Sequence, residues 1–269
     1  NGGALAAGIG SGRGENSGVM IFDGGIIQAE SYGSKTDVTQ LDNAGAGIGG
    51  GIIGGTLRME FNGGTVKAIS AAHGPGIGAG HSGLGWGLPQ GWDKPLIPSV
   101  IKSDAPNGVI MRDLYVNGGD VQAIGHIHGH SIGSACVPAD NACQTIFVTG
   151  GNLTLSNDYG VTSGPNGEFY SGYIGAPNID IEVTGGSFFV PPDASGTPQF
   201  SGVATDGKGN KLTMVKIDLG VNTEYKGQRV KDLNVKIDGV SLPDRYGLPC
   251  KIDDEGVVYF WLPETIAGK

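Results

Sequence analysis

Five times along this chain a pair of glycines stands between two short runs of alternating apolar residues: MIFDGGIIQAE (20–30), MEFNGGTVKAI (59–69), LYVNGGDVQAI (114–124), IFVTGGNLTLS (146–156) and IEVTGGSFFV (181–190). Aligned on the glycines, every row agrees. Phe22, Phe61, Val116, Val148 and Val183 share one column, and Met20, Met59, Leu114, Ile146 and Ile181 share another. After the glycines, Ile27, Val66, Val121, Leu153 and Phe188 form a third column, and Ala29, Ala68, Ala123, Leu155 and Val190 a fourth. A period of two marks a strand with one buried face. The residue before each pair is Asp23, Asn62, Asn117, Thr149 or Thr184, a polar turn position. Self-similarity with a round of this length is the signature of a solenoid.

A second motif keeps phase with the first. AGIGSG (7–12), AGIGGG (46–51) and PGIGAG (75–80) carry Gly-Ile-Gly, and HSIGSA (131–136) and GYIGAP (172–177) keep its Ile-Gly. An isolated Ile between glycines suits a corner that sends one side chain inward while the backbone takes unusual angles. Each round then reads as corner, strand, Gly-Gly turn, strand and return. The expected fold is all-β: a right-handed parallel β-helix of about five to six coils over residues 1–195, with residues 196–269 as a small C-terminal β appendage capping it. The boundary is read from the Pro/Gly/Ser-rich stretch VPPDASGTPQFSG (190–202), after which KLTMVKIDLG, DLNVKIDGVSL and GVVYFWLP look like ordinary alternating strands.

The 52 glycines have other readings, which the pattern removes. Collagen requires Gly at every third residue, and a disordered Gly-rich linker carries no aligned apolar columns. The GIGSGRG and GIGGG stretches lack the GK[ST] of a phosphate loop. A net charge of −9 argues against nucleic acid or an anionic membrane as partner. No apolar run approaches the roughly 20 residues of a membrane span, so membrane insertion is not expected. Asn1 falls in mid-repeat sequence, which reads as a mature or excised piece of a larger precursor. Cys136 and Cys143 bracket the loop ACVPADNACQ and read as a local disulfide of an oxidising compartment or as two thiols, leaving Cys250 over.

Function is sought where the repeat is interrupted. The insertion between Gly80 and Val109 holds Trp86 and Trp92 beside Asp93 and Lys94, with His81 at its mouth. Aromatic rings there either stack on sugars or pin the loop to the solenoid flank. All five histidines lie between residues 73 and 130. His73 and His128 occupy the same repeat position, so on adjacent rounds they would stack or share a divalent ion such as Zn. His126, His128 and His130 alternate and on an extended segment would face one way. The loop 31–45 holds Asp37 and Asp42. These are turn formers, Ca²⁺ ligands, or, with Asp93, carboxylates for glycosidic cleavage.

The AGIGxG corners, the NGGTV strand pairs and the terminal GVVYFWLP resemble the Gly-rich β-helical repeats of secreted or cell-surface bacterial carbohydrate-binding proteins, within the pectin-lyase-like architecture. The resemblance covers nearly the whole chain and implies attachment to, or action on, glycans. It transfers no catalytic residue. The expectation is therefore a secreted or cell-surface adhesive module that binds carbohydrate through Trp86, Trp92, His81, His126 and His130, with His73 and His128 available to a metal (Ca or Zn) and no certain cofactor. The alternatives are a glycoside hydrolase using Asp37, Asp42 and Asp93, and a structural stalk that self-associates through its solenoid ends.

Overall fold

The computed structural model describes residues 6–12, 15–31, 45–51, 54–70, 74–80, 113–126, 129–134, 145–158, 162–163, 169–175, 179–190, 203–218, 224–225, 228–229, 236–237, 240–241, 250–252 and 257–267. Among them the protein is all-β apart from one helical turn at Glu264–Ala267.

Three stacked sheets each take a parallel strand from five successive rounds of the chain. The corner sheet contains Ile9–Gly10, Ile48–Gly49, Ile77–Ala79, His130–Ser134 and Phe169–Gly175, all parallel, with Thr162–Ser163 antiparallel at its end. The pre-glycine sheet contains Ser17–Phe22, Thr56–Phe61, Leu114–Val116, Thr145–Val148, Asp180–Val183 and Ala204–Thr205, all parallel. The post-glycine sheet contains Ile26–Glu30, Thr65–Ile69, Asp120–Gly125, Asn152–Asn157 and Ser187–Phe189, again parallel. The register is that of the glycine alignment: Met20 pairs with Met59, Met59 with Leu114, Leu114 with Ile146, and Ile146 with Ile181. Because side chains alternate across a strand, this register sends the four apolar columns to one side together. They form one core with Ile48, Ile77, Ile132 and Ile174 of the corner sheet. Each large apolar side chain buried this way contributes on the order of 1.5–3 kcal/mol.

Both glycine motifs follow from how closely successive rounds approach. The second glycine of each pair has positive φ, as at Gly64 (82°) and Gly119 (75°), a region that favours glycine. At the corner, Gly49 has φ 140°, and a Cβ there would collide with the carbonyl of Gly78. Gly47 lies where a Cβ would stand 2.6 Å from the Ile69 nitrogen. Glycine on both sides of Ile48 thus lets the corner close against the end of the post-glycine sheet while Ile48 itself is fully buried.

The parallel stack extends past residue 195: Ala204–Thr205 pairs with the strand at Asp180–Val183. Beyond it lies an antiparallel sheet of Leu212–Asp218, Val257–Pro263 and Cys250–Ile252. Trp261 from this sheet is buried and stacks on Phe188, ring centroids 5.4 Å apart, so the appendage covers that end of the core.

Candidate functional site

Alternation buries one face of the pre-glycine strands and presents the other. The outward positions form columns across the rounds. One runs Ile21, Glu60, Tyr115, Phe147, Glu182 and Thr205, each in register with the next. Beside it Val19 pairs with Arg58, and Thr145 with Asp180. The turn residues that follow form a polar ladder. The Asn62 side-chain amide donates to Asp23 (2.8 Å), that of Asn117 to Asn62 (2.9 Å), and the Thr149 hydroxyl to Asn117 (2.6 Å). Asp23 can only accept, so the whole ladder is polarised toward the first round.

The centre of this face is a stack. The Tyr115 and Phe147 rings lie 4.8 Å apart and 11° from parallel, a separation that matches the spacing of adjacent strands. The Arg58 guanidinium sits over Tyr115, 4.4 Å from the ring centroid, and its Nε lies 2.5 Å from Glu60 Oε1. Arg58 and Phe147 therefore flank the Tyr115 ring, and recognition there must use edges, hydroxyls and carboxylates. The Tyr115 hydroxyl makes a long contact of 3.4 Å to Asp113. Burial first, and then the Asp113 charge, push the Tyr115 phenol above its ordinary range, against the opposing pull of Arg58. The phenol is thus kept as a neutral donor.

Glu60 and Glu182 bracket the two rings from three strand spacings apart, about 14 Å. Paired glycosidase carboxylates stand roughly 5–9.5 Å apart. This pair suits hydrogen bonding along an extended ligand better than cleavage of a single bond.

Of the residues singled out in the sequence, Asp37, Asp42, His73, His81, Trp86, Trp92, Asp93 and His128 lie outside the described residues. His126 and His130 are described. They do not share a strand, and the Gly129 N–H donates to the His126 carbonyl at 2.9 Å. His126 follows Asp120–Gly125 of the post-glycine sheet, and His130 opens His130–Ser134 of the corner sheet. The Asn157 amide occupies the space left by the missing side chain of Gly125 and donates to the carbonyls of Gly129 (2.9 Å) and Gly172 (3.2 Å). His126 is 7% and His130 5% exposed, which puts both rings inside the corner, away from the solvent-facing flank. Among the described residues no three His, Cys, Asp or Glu side chains converge as a metal-binding set.

Tyr115, Phe147 and the two glutamates were legible in the sequence as the alternate positions between the apolar columns, and Arg58 as the alternate position just before them. Aligning those positions as carefully as the buried ones brings Glu60, Tyr115, Phe147 and Glu182 into one column. Comparison with protein-family models, with curated proteins and with solved structures finds no match for this chain.

Proposed function

We propose that this protein is a glycan-binding module of the cell surface or the extracellular space, and that its recognition surface is the outer face of the pre-glycine sheet. The observation that carries the reading is the pair of outward columns, Glu60–Tyr115–Phe147–Glu182 beside Asp23–Asn62–Asn117–Thr149, which repeat polar and aromatic groups at one strand spacing. Carboxylates, amides and a neutral phenol offer acceptors and donors to hydroxyl groups, and a linear polymer of repeating units fits a surface that itself repeats. The supporting frame, in this reading, is a right-handed parallel β-helix: the three sheets share one core, and parallel crossovers favour that hand. The acidic chain disfavours polyanions as ligands.

A glycan array followed by affinity electrophoresis with the hits tests this, with bound glycans run afterwards by mass spectrometry. Intact glycan should be retained by the wild type, and retention should fall at least tenfold in the Glu60→Gln, Glu182→Gln double variant, whose melt should stay close to wild type. Retention that survives both changes would remove this face from consideration. Shortened products would instead make the protein a hydrolase and move attention to Asp37, Asp42 and Asp93.

A further inference from the structure

The two ends of the stack are unlike. At the far end Trp261 lies over Phe188. At the near end Ile9–Gly10, Ser17–Phe22 and Ile26–Glu30 are the edge strands of the three sheets among the described residues. Their inward residues Ile9, Met20, Phe22 and Ile27 are only partly buried, while their partners one round on, Ile48, Met59, Phe61 and Val66, are at most 1% exposed. Phe22 stacks on Phe61, centroids 4.8 Å apart and 6° from parallel. Val19, Ile21 and Ile26 are exposed at 59%, 54% and 91%. Edge strands with apolar side chains and unpaired backbone groups are templates for another strand.

The glycines identify what fits there. The first glycine of each later pair is required by the round before it. A Cβ on Gly63 would stand 2.9 Å from the Asp23 carbonyl oxygen, and one on Gly118, Gly150 or Gly185 would run into the carbonyl of Asn62, Asn117 or Thr149. Gly24 holds the same position in the first round, yet a Cβ there would meet nothing within 4 Å, and its φ lies outside the glycine-favouring region. Among the described residues no contact demands a glycine at 24. A carbonyl of one more round, placed ahead of it, would.

Charge narrows the occupant. The first round, residues 6–31, carries Glu15, Asp23 and Glu30 against the single cation Arg13. Asp23 ends the polar ladder as an acceptor from Asn62, so a donor placed ahead of it would extend the ladder by one step. A second copy meeting this end with its own would set these carboxylates against their equivalents.

We propose that the first round is an acceptor site for a polypeptide segment of the same two-strand pattern: alternating apolar residues, a Gly pair, and Asn, Lys or Arg immediately before the glycines. The segment adds one parallel strand to the pre-glycine sheet and one to the post-glycine sheet, covers Phe22 and Ile27, and donates to Asp23.

The test uses the full chain and a synthetic peptide with the sequence of residues 56–69, TLRMEFNGGTVKAI, titrated to millimolar concentration by calorimetry and by amide exchange. The peptide should bind and slow amide exchange in residues 17–22 and 26–30. A peptide with Asp at its Asn position should bind at least tenfold more weakly. Gly24→Ala should leave the melting temperature of the chain unchanged and weaken the wild-type peptide at least tenfold. Absence of binding at millimolar peptide, binding indifferent to Gly24→Ala, or a sedimenting dimer of the chain that excludes the peptide would each overturn the proposal.

Discussion

On the inward side of the pre-glycine strands Met59, Leu114, Ile146 and Ile181 are interchangeable in kind, whereas the outward residues of the same strands, Glu60, Tyr115, Phe147 and Glu182, switch from carboxylate to aromatic ring and back. The same strands carry both sets, at the same spacing and in the same register. The inward set answers to a core shared by three sheets, where volume and apolarity are the only requirements. The outward set is released from that constraint, and its variety sits on a backbone that holds each group one strand from the next. The difference teaches that a repeat conserves its frame through one face and diversifies through the other.

The comparison breaks most completely if charge enters the inward face. Val121→Asp buries an unpaired carboxylate between Val66 and Leu153 and should abolish folding, read as loss of the β signal in circular dichroism. A fully folded variant would mean that the inward and outward faces are assigned the wrong way round. Gly49→Ala should cost about 3 kcal/mol or more, because the left-handed angle and the collision with the Gly78 carbonyl act together. Chemical denaturation measures it, and a loss below about 1 kcal/mol would show the corner to be plastic. On the outward side, Asn117→Ala interrupts the ladder between Asn62 and Thr149, both on the exposed surface, and should cost only about 1 kcal/mol in the same assay.

The smallest effect is expected at Asp206, at the turn leading into the appendage. Burial works to raise its carboxyl, but hydrogen bonds from the Asn210 side chain and from the Lys208 and Asn210 N–H groups together hold it below the ordinary range. A group depressed by folding adds stability above its unfolded pKa, about 3.9, and loses it as pH falls through the lower folded value. The melting temperature of the wild type should therefore fall slightly more steeply below about pH 4 than that of Asp206→Asn. Parallel acid limbs would remove Asp206 from the acid response.

Much of the frame was legible because burial acts on every round alike. Five rows of sequence average out local exceptions, so the Met20-to-Ile181 column could be read from its spacing to the Gly pair and the Ile48–Ile77–Ile132 corner from its recurring Ile-Gly. The outward face offers no such averaging. Tyr115 and Phe147 become neighbours only through register, 32 residues apart in sequence like the Asn117–Thr149 pair beside them. The histidines stand out in the sequence instead, because they cluster where the repeat is interrupted. His126 and His130 alternate in sequence as an exposed strand would, but one follows a strand of the post-glycine sheet and the other opens a strand of the corner sheet, and periodicity carries no record of that change. The end of the stack was also blurred. Ala204–Thr205 is too short to show a period, and only pairing with Ile181 and Glu182 reveals it as a further strand.

The polar ladder joins residues separated by 39, 55 and 32 positions through contacts of nearly the same length. Distance along the chain and distance along the stack are thus uncoupled: whatever length the intervening chain has, the next side chain arrives one strand further on. Growth and shortening by whole rounds are therefore open to such a gene. Excising residues 118–149 would join Asn117 to Gly150, restore an Asn-Gly-Gly turn, and leave a molecule one round shorter with its remaining columns in step.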